Sequence, residues 1–134
     1  MQAPELKALS SYILDPANHV AAFLDLHSFG QEILFPYSWT CDVSSPDEEN
    51  HLECALGAAK ALRAVHGRFF EVGSVCSISL SSPGESIDWT CTSAFLPLAT
   101  GLLAHPLIAD EVAGVRWSFA IELRDYVRLS PAPL

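Results

Sequence analysis

The chain has 134 residues, half of them hydrophobic, enough for one domain around a single core. Its 16 acidic against 7 basic residues give a formal net charge of −9, which repels phosphate backbones and argues against a nucleic-acid partner. The opening MQAPELKALS lacks the basic patch, apolar run and small-residue cleavage site of a signal peptide and reads as the body of a helix, so Met1 is not read as a biological beginning.

Residues 5–14, ELKALSSYIL, put Leu6, Leu9, Ile13 and Leu14 at helical spacing, and the DPAN that follows supplies a turn to stop the helix. HVAAFLDLH is then expected as a short strand, apolar enough to be buried on both faces of a sheet. Ser45 is placed to cap a second helix with Pro46 in its first position. Asp47, Glu48 and Glu49 suit the positive end of that helix, and Gly67 suits its stop. Along it Leu52, Ala55, Leu56, Ala59 and Leu62 form one apolar stripe.

FFEVGSVCSISL and VRWSFAIEL are rich in β-branched and aromatic residues and read as strands. Helices alternating with apolar strands imply an α/β layered sheet. Residues 91–109, CTSAFLPLATGLLAHPLIA, are almost uncharged, yet they are near the lower length limit for a membrane span and are broken by two prolines and a glycine, so no span is expected. The tail YVRLSPAPL is short and proline-rich and is expected to be loose.

Four cysteines, Cys41, Cys54, Cys76 and Cys91, show no C-x-x-C spacing, which weakens a metal reading. Composition leaves a disulfide and buried free thiols both open. If a pair forms, Cys41 and Cys76 are preferred, because each sits beside an expected strand end rather than on a helix.

Two residues carry the chemical question. His27 closes an apolar strand. Histidines there more often serve structure than bind a ligand, although strand ends in α/β sheets are where ligands collect. His19, His51, His66 and His105 read as solvated or loosely packed. Glu122, in RWSFAIELRD, places a carboxylate within an apolar strand, where an unpaired charge is costly and burial raises the pKa. Beside a metal-bound water it is a general base; paired with Arg124, which shares its strand parity, or with another cation, it is structural. Spacing alone leaves both open.

FLDLHSFGQEILFPYSWT, the acidic-start helix ending LRAVHG, VGSVCSISLSSPGESIDW and SFAIELRD occur in the order and approximate spacing of zinc metallocarboxypeptidases of the carboxypeptidase A and B type, which the chain resembles over residues 5–90 and 114–125. The cysteine after FPYSWT and the Cys76 position look most like fungal members. The resemblance implies a partial, truncated three-layer α/β/α fold with a mixed sheet, residues 1–134 forming the C-terminal part of the domain, with an atypical insertion at 91–112 and an atypical tail at 126–134.

By the same resemblance His27 matches a zinc ligand and Glu122 the catalytic glutamate that activates zinc-bound water. Ser28 and Phe29 match residues lining a substrate subsite, with phenylalanine where the family usually has tyrosine. Ile87 matches the floor of the specificity pocket, an apolar side chain there going with apolar or aromatic C-terminal residues. The implied substrate is a peptide or protein C-terminus, the implied cofactor zinc, and the implied location extracellular.

Departures are equally specific. The chain has no H-x-x-E, which carries the family's other two zinc ligands, and it lacks the upstream residues that grip the substrate's terminal carboxylate. The substrate-capping tyrosine would fall on Leu80. About twenty extra residues separate Trp89 from Trp117, and after ELRD the usual Thr-Gly turn and final helix are replaced. These faults cluster where splice junctions would lie, so the expectation is a piece of a longer domain from an incomplete gene model, inactive alone and prone to associate through uncovered apolar surface. The alternative is a non-catalytic peptide-binding relative.

Overall fold

The computed structural model describes residues 3–79, 82–91 and 113–124. Segment 92–112, the chain from Asp125 onward and Leu80 lie outside the described residues. So do the expectations placed there, namely the apolar insertion with His105, the tail and the capping position. Among the described residues no helix is long and apolar enough to cross a membrane.

Helix α1 spans Pro4–Leu14, with proline in its first turn as the missing N–H permits. Asp15 ends it: its carboxylate accepts from the Ala17 N–H at 2.9 Å and starts the short 3₁₀ turn Pro16–Asn18. The apolar stripe expected on α1 is buried only at Ile13, while Leu6 and Leu9 face solvent.

Strand β1, Ala22–Ser28, follows and is succeeded by β2, Glu32–Phe35, a short strand that the sequence reading does not single out. Helix α2 runs Glu48–His66. It starts two residues later than the Ser45 cap implies, because Ser45 and Pro46 lead into a turn in which the Ser45 carbonyl accepts from the Glu48 N–H at 3.0 Å. Gly67 stops α2 as expected: its left-handed φ of 66° lets its N–H reach the Arg63 carbonyl at 2.8 Å. Of the expected stripe, Ala55 is buried and Ala59 and Leu62 pack against the core, whereas Leu52 and Leu56 stay exposed.

Strand β3 is only Glu71–Ser74. The long strand read into FFEVGSVCSISL breaks at Ser74, whose hydroxyl accepts from the Ser77 N–H at 3.3 Å and caps the single helical turn α3, Val75–Ile78. Helix α4, Ser86–Cys91, is a further short element not expected from sequence, and β4 runs Trp117–Leu123 as expected.

The four strands form a mixed sheet in the order β1-β4-β2-β3, with β1 parallel to β4, β4 antiparallel to β2, and β2 parallel to β3. Alternation sends successive side chains to opposite faces. On one face Ile33, Phe35 and Phe119 pack with Ala55 of α2. On the other, Leu34 and Ala120 pack with Val75 of α3 and Ile87 of α4. The result is the three-layer α/β/α arrangement with a mixed sheet. One strand expectation is overturned: β1 is not buried on both faces. Among the described residues it is an edge strand with no helix over one side, and it leaves Leu24 57% and Leu26 61% exposed.

His51 is also corrected. It is not solvated but fully buried, its Nε2 lying 2.8 Å from the Arg116 carbonyl and its ring stacked on Phe35 and met edge-on by Trp117 and Phe119. Arg116 in turn forks onto the Asp47 carboxylate at 2.9 and 3.1 Å, tying the start of α2 to the approach to β4. That guanidinium, with help from Asn50, holds the Asp47 carboxyl below its ordinary range. Cys41 and Cys76 form a disulfide, as preferred from sequence, leaving Cys54 and Cys91 free.

Candidate functional site

His27 and Glu122 are direct partners in the parallel β1–β4 pairing. Parity places both on the face covered by α3 and α4, where β1 contributes Phe23, Asp25 and His27 and β4 contributes Ser118, Ala120 and Glu122. There the two side chains line one pocket of about 250 Å³. Leu34, Val75 and Ala120 form its apolar wall, and Ser79, Ser82 and Glu85 its rim.

The other expected site residues sit around this pocket. Ile87 is fully buried and packs on Leu34, Val75 and Ala120, so it stands behind the apolar wall. Ser28 has the opposite parity to His27, and neither it nor Phe29, which is 61% exposed, is among the residues lining the pocket. The structure therefore brings His27 and Glu122 together, backs them with Ile87, and leaves Ser28 and Phe29 outside the lining.

Charge is concentrated beside Glu122. Glu32 on β2 is its antiparallel partner, and Glu71 on β3 is the parallel partner of Glu32, so three carboxylates stand in a row across three strands. Burial first, then the negative charges of Glu122 and Glu71, hold the Glu32 carboxyl above its ordinary range. Among the described residues the close contacts between a basic side chain and a carboxylate are His27–Asp25 and Arg116–Asp47. The structural alternative of a Glu122–Arg124 pair is thus not formed among them. Gly30 fits closely beneath: its N–H donates to the Leu123 carbonyl at 3.1 Å, and a Cβ there would come within 3.0 Å of the Glu122 Cβ.

Two residues escape the sequence reading. Asp25 lies two positions before His27, on the same side of β1, with its Oδ1 3.1 Å from His27 Nε2. The D-x-H spacing on a strand was the signal for it. Asp88, next to Ile87, is a buried carboxylate bound to the backbone of Ser38 and Trp39. No local pattern marks that contact, because its partners are some fifty residues away.

Among the described residues no group of three or more His, Cys, Asp or Glu side chains gathers to hold a metal ion. His27, with one ring nitrogen engaged by a carboxylate, is a donor of the kind zinc takes. The described residues fit one ligand position of a zinc site, not a full set.

A family model described as zinc carboxypeptidase matches residues 1–131. The chain belongs to the zinc carboxypeptidase family. It is 37% identical over 122 residues to carboxypeptidase A2 of Rattus norvegicus, covering 90% of this chain and 24% of that protein. It is 43% identical over 125 residues to carboxypeptidase O of Bos taurus, covering 93% and 28%. It is also 34% identical over 144 aligned residues to an inactive metallocarboxypeptidase of Schizosaccharomyces pombe, covering 98% and 25%.

Among solved structures it is similar to bovine thrombin-activatable fibrinolysis inhibitor in complex with tick carboxypeptidase inhibitor. The TM-score is 0.71 and the identity 29%, over 95% of this chain and 36% of the other. The carboxypeptidase fold expected from the sequence is therefore present, while the chain spans about a quarter of the length of these curated relatives.

Proposed function

We propose that this chain forms part of the pocket of a zinc metallocarboxypeptidase, which hydrolyses C-terminal amino acids from peptides and proteins, and that by itself it is inactive. The observation that carries this reading is the register pairing of His27 with Glu122 on adjacent strands, both lining one pocket. In it Glu122 is the general base: its carboxylate takes the proton of the attacking water and returns it to the leaving amine. His27 supplies one zinc ligand. Zinc, when bound, polarises the scissile carbonyl and acidifies the water.

Ile87, behind Leu34, Val75 and Ala120, favours apolar or aromatic C-terminal residues, and Ser28 with Phe29 is assigned to a substrate subsite beside His27. The disulfide between Cys41 and Cys76 supports an oxidising, extracellular location. Inactivity of the chain alone follows from donor number, since a catalytic zinc site takes three protein ligands and the described residues give one.

The test is a peptide with a free C-terminus incubated with purified chain and zinc. No release of the terminal residue is expected, and calorimetric titration should show zinc binding weaker than micromolar. Hydrolysis that disappears in Glu122→Gln would overturn the inactivity.

One observation favours a second reading, a non-catalytic peptide-binding relative: a matched fungal protein is named as inactive. Retention of peptide binding without cleavage, in a longer protein that contains this chain together with zinc, would decide for it.

A further inference from the structure

The His27 imidazole is not isolated in its pocket. Its Nε2 lies 3.1 Å from Asp25 Oδ1, and the other oxygen of that carboxylate accepts a hydrogen bond from the Ser86 hydroxyl. Ser86 is the first residue of α4, whose next two residues, Ile87 and Asp88, are buried in the layer beneath the pocket. The chain of contacts thus runs from a helix fixed in the core, through one hydroxyl and one carboxylate, to a ring nitrogen.

An ionised carboxylate only accepts hydrogen bonds, so the nitrogen facing it must carry the proton. In the neutral ring the other nitrogen, Nδ1, then holds the lone pair. We propose that Asp25, held by Ser86, is a positioning residue that fixes His27 in the Nε2–H tautomer and makes Nδ1 its donor atom. A carboxylate on the second nitrogen orients a histidine ring and raises its basicity as a ligand. Phe23, Asp25 and His27 share one side of β1, so the strand's own alternation delivers carboxylate and imidazole to the same face. The use of this arrangement, presentation of Nδ1 to zinc, rests on the reading of His27 as a metal ligand. The tautomer itself does not.

Long-range ¹H–¹⁵N correlation spectra of the histidine side chains test it on the metal-free chain, at a pH above the histidine range and with exposed His66 as internal reference. The His27 signals are assigned by their loss in His27→Gln. Wild-type His27 should show one dominant Nε2–H tautomer and an Nε2 proton that exchanges with water at least several-fold more slowly than that of His66. In Asp25→Ala both properties should relax to those of His66. In Ser86→Ala the tautomer should persist while proton exchange speeds up.

A wild-type His27 already matching His66, or an Asp25→Ala spectrum unchanged from wild type, overturns the proposal. Should Asp25→Ala lose its fold, near-isosteric Asp25→Leu, which cannot accept a hydrogen bond, carries the same readout, with unchanged Nε2–H exchange as the refuting result. None of these measurements involves zinc, so failure of the metal reading and failure of this one are separable.

Discussion

Asp88 and Ser38, fifty residues apart, form the main polar joint of the buried layer. The Asp88 carboxylate accepts from the Ser38 N–H at 2.9 Å and from the Ser38 hydroxyl, and it also accepts from the Trp39 N–H at 3.1 Å. Asp88→Ala removes the acceptor of the buried Ser38 and Trp39 N–H groups, while the Ser38 hydroxyl keeps the Ser82 carbonyl at 2.8 Å, and should destabilise the fold by about 1–3 kcal/mol, read from urea unfolding midpoints. The pH dependence has a definite sign. Burial raises the Asp88 pKa above 3.8, outweighing the lowering by its hydrogen bonds, so the folded chain keeps this proton to higher pH than the unfolded chain does. Its contribution is therefore full below about 3.8 and is lost as pH rises through the folded value. Asp88→Asn should flatten that part of the stability–pH curve, and an unchanged slope would contradict the assignment.

Gly30 sets how closely the turn after β1 approaches Glu122. In Gly30→Ala the new methyl meets the Glu122 Cβ at 3.0 Å and the Glu32 carboxyl at 3.1 Å. The Glu122 Cβ is fixed to the β4 backbone and cannot swing away, so the cost is that of overpacking, about 1–3 kcal/mol. Denaturant unfolding of the variant measures it, and backbone amide shifts at Glu122 should move together with the loss.

His51 holds α2 against β4 through shape as much as through its hydrogen bond to the Arg116 carbonyl. Among the described residues its Nδ1 has no partner. His51→Ala removes a fully buried ring from between Phe35, Trp117 and Phe119 and should cost about 3 kcal/mol. His51→Phe refills the volume but strands the carbonyl, with an expected loss of about 1–2 kcal/mol. A thermal melt in which both variants fall equally would assign the whole effect to the hydrogen bond.

The Cys41–Cys76 disulfide closes a loop with a sequence separation of 35. Loop-closure entropy of that size corresponds to about 3–4 kcal/mol, to be seen as the difference in unfolding free energy with and without reductant. A Cys41→Ser, Cys76→Ser chain should match the reduced protein, and equal stability of oxidised and reduced forms would refute the estimate.

The legible elements were those whose signals are local. Gly67 marks the exit of α2 by its conformation alone, and the aromatic and β-branched run of β4 needs no partner to be recognised. Strand β2 escaped because EILF is short and becomes a strand through its ladders with β4 and β3. The exposure of β1 escaped because an apolar strand reads alike in the middle of a sheet and at its edge; only strand order distinguishes them. His51 was misjudged for a related reason, since its aromatic surroundings come from positions 35, 117 and 119. His27 and Glu122 stand out by their places in apolar strands, and the family resemblance supplies their roles, whereas the Asp25 contact is legible only from strand parity.

The alignment of β1 with β4 has a consequence for how the reactive corner can change. Because β4 is locked to β1 on one flank and to β2 on the other, a slip of a single residue would set His27 beside Ile121 or Leu123 and turn the Glu122 carboxylate to the opposite side of the sheet. No graded drift of these two side chains is open to the molecule. An insertion or deletion that shifts the register at this pair would separate the two side chains, even where every chemical group survives.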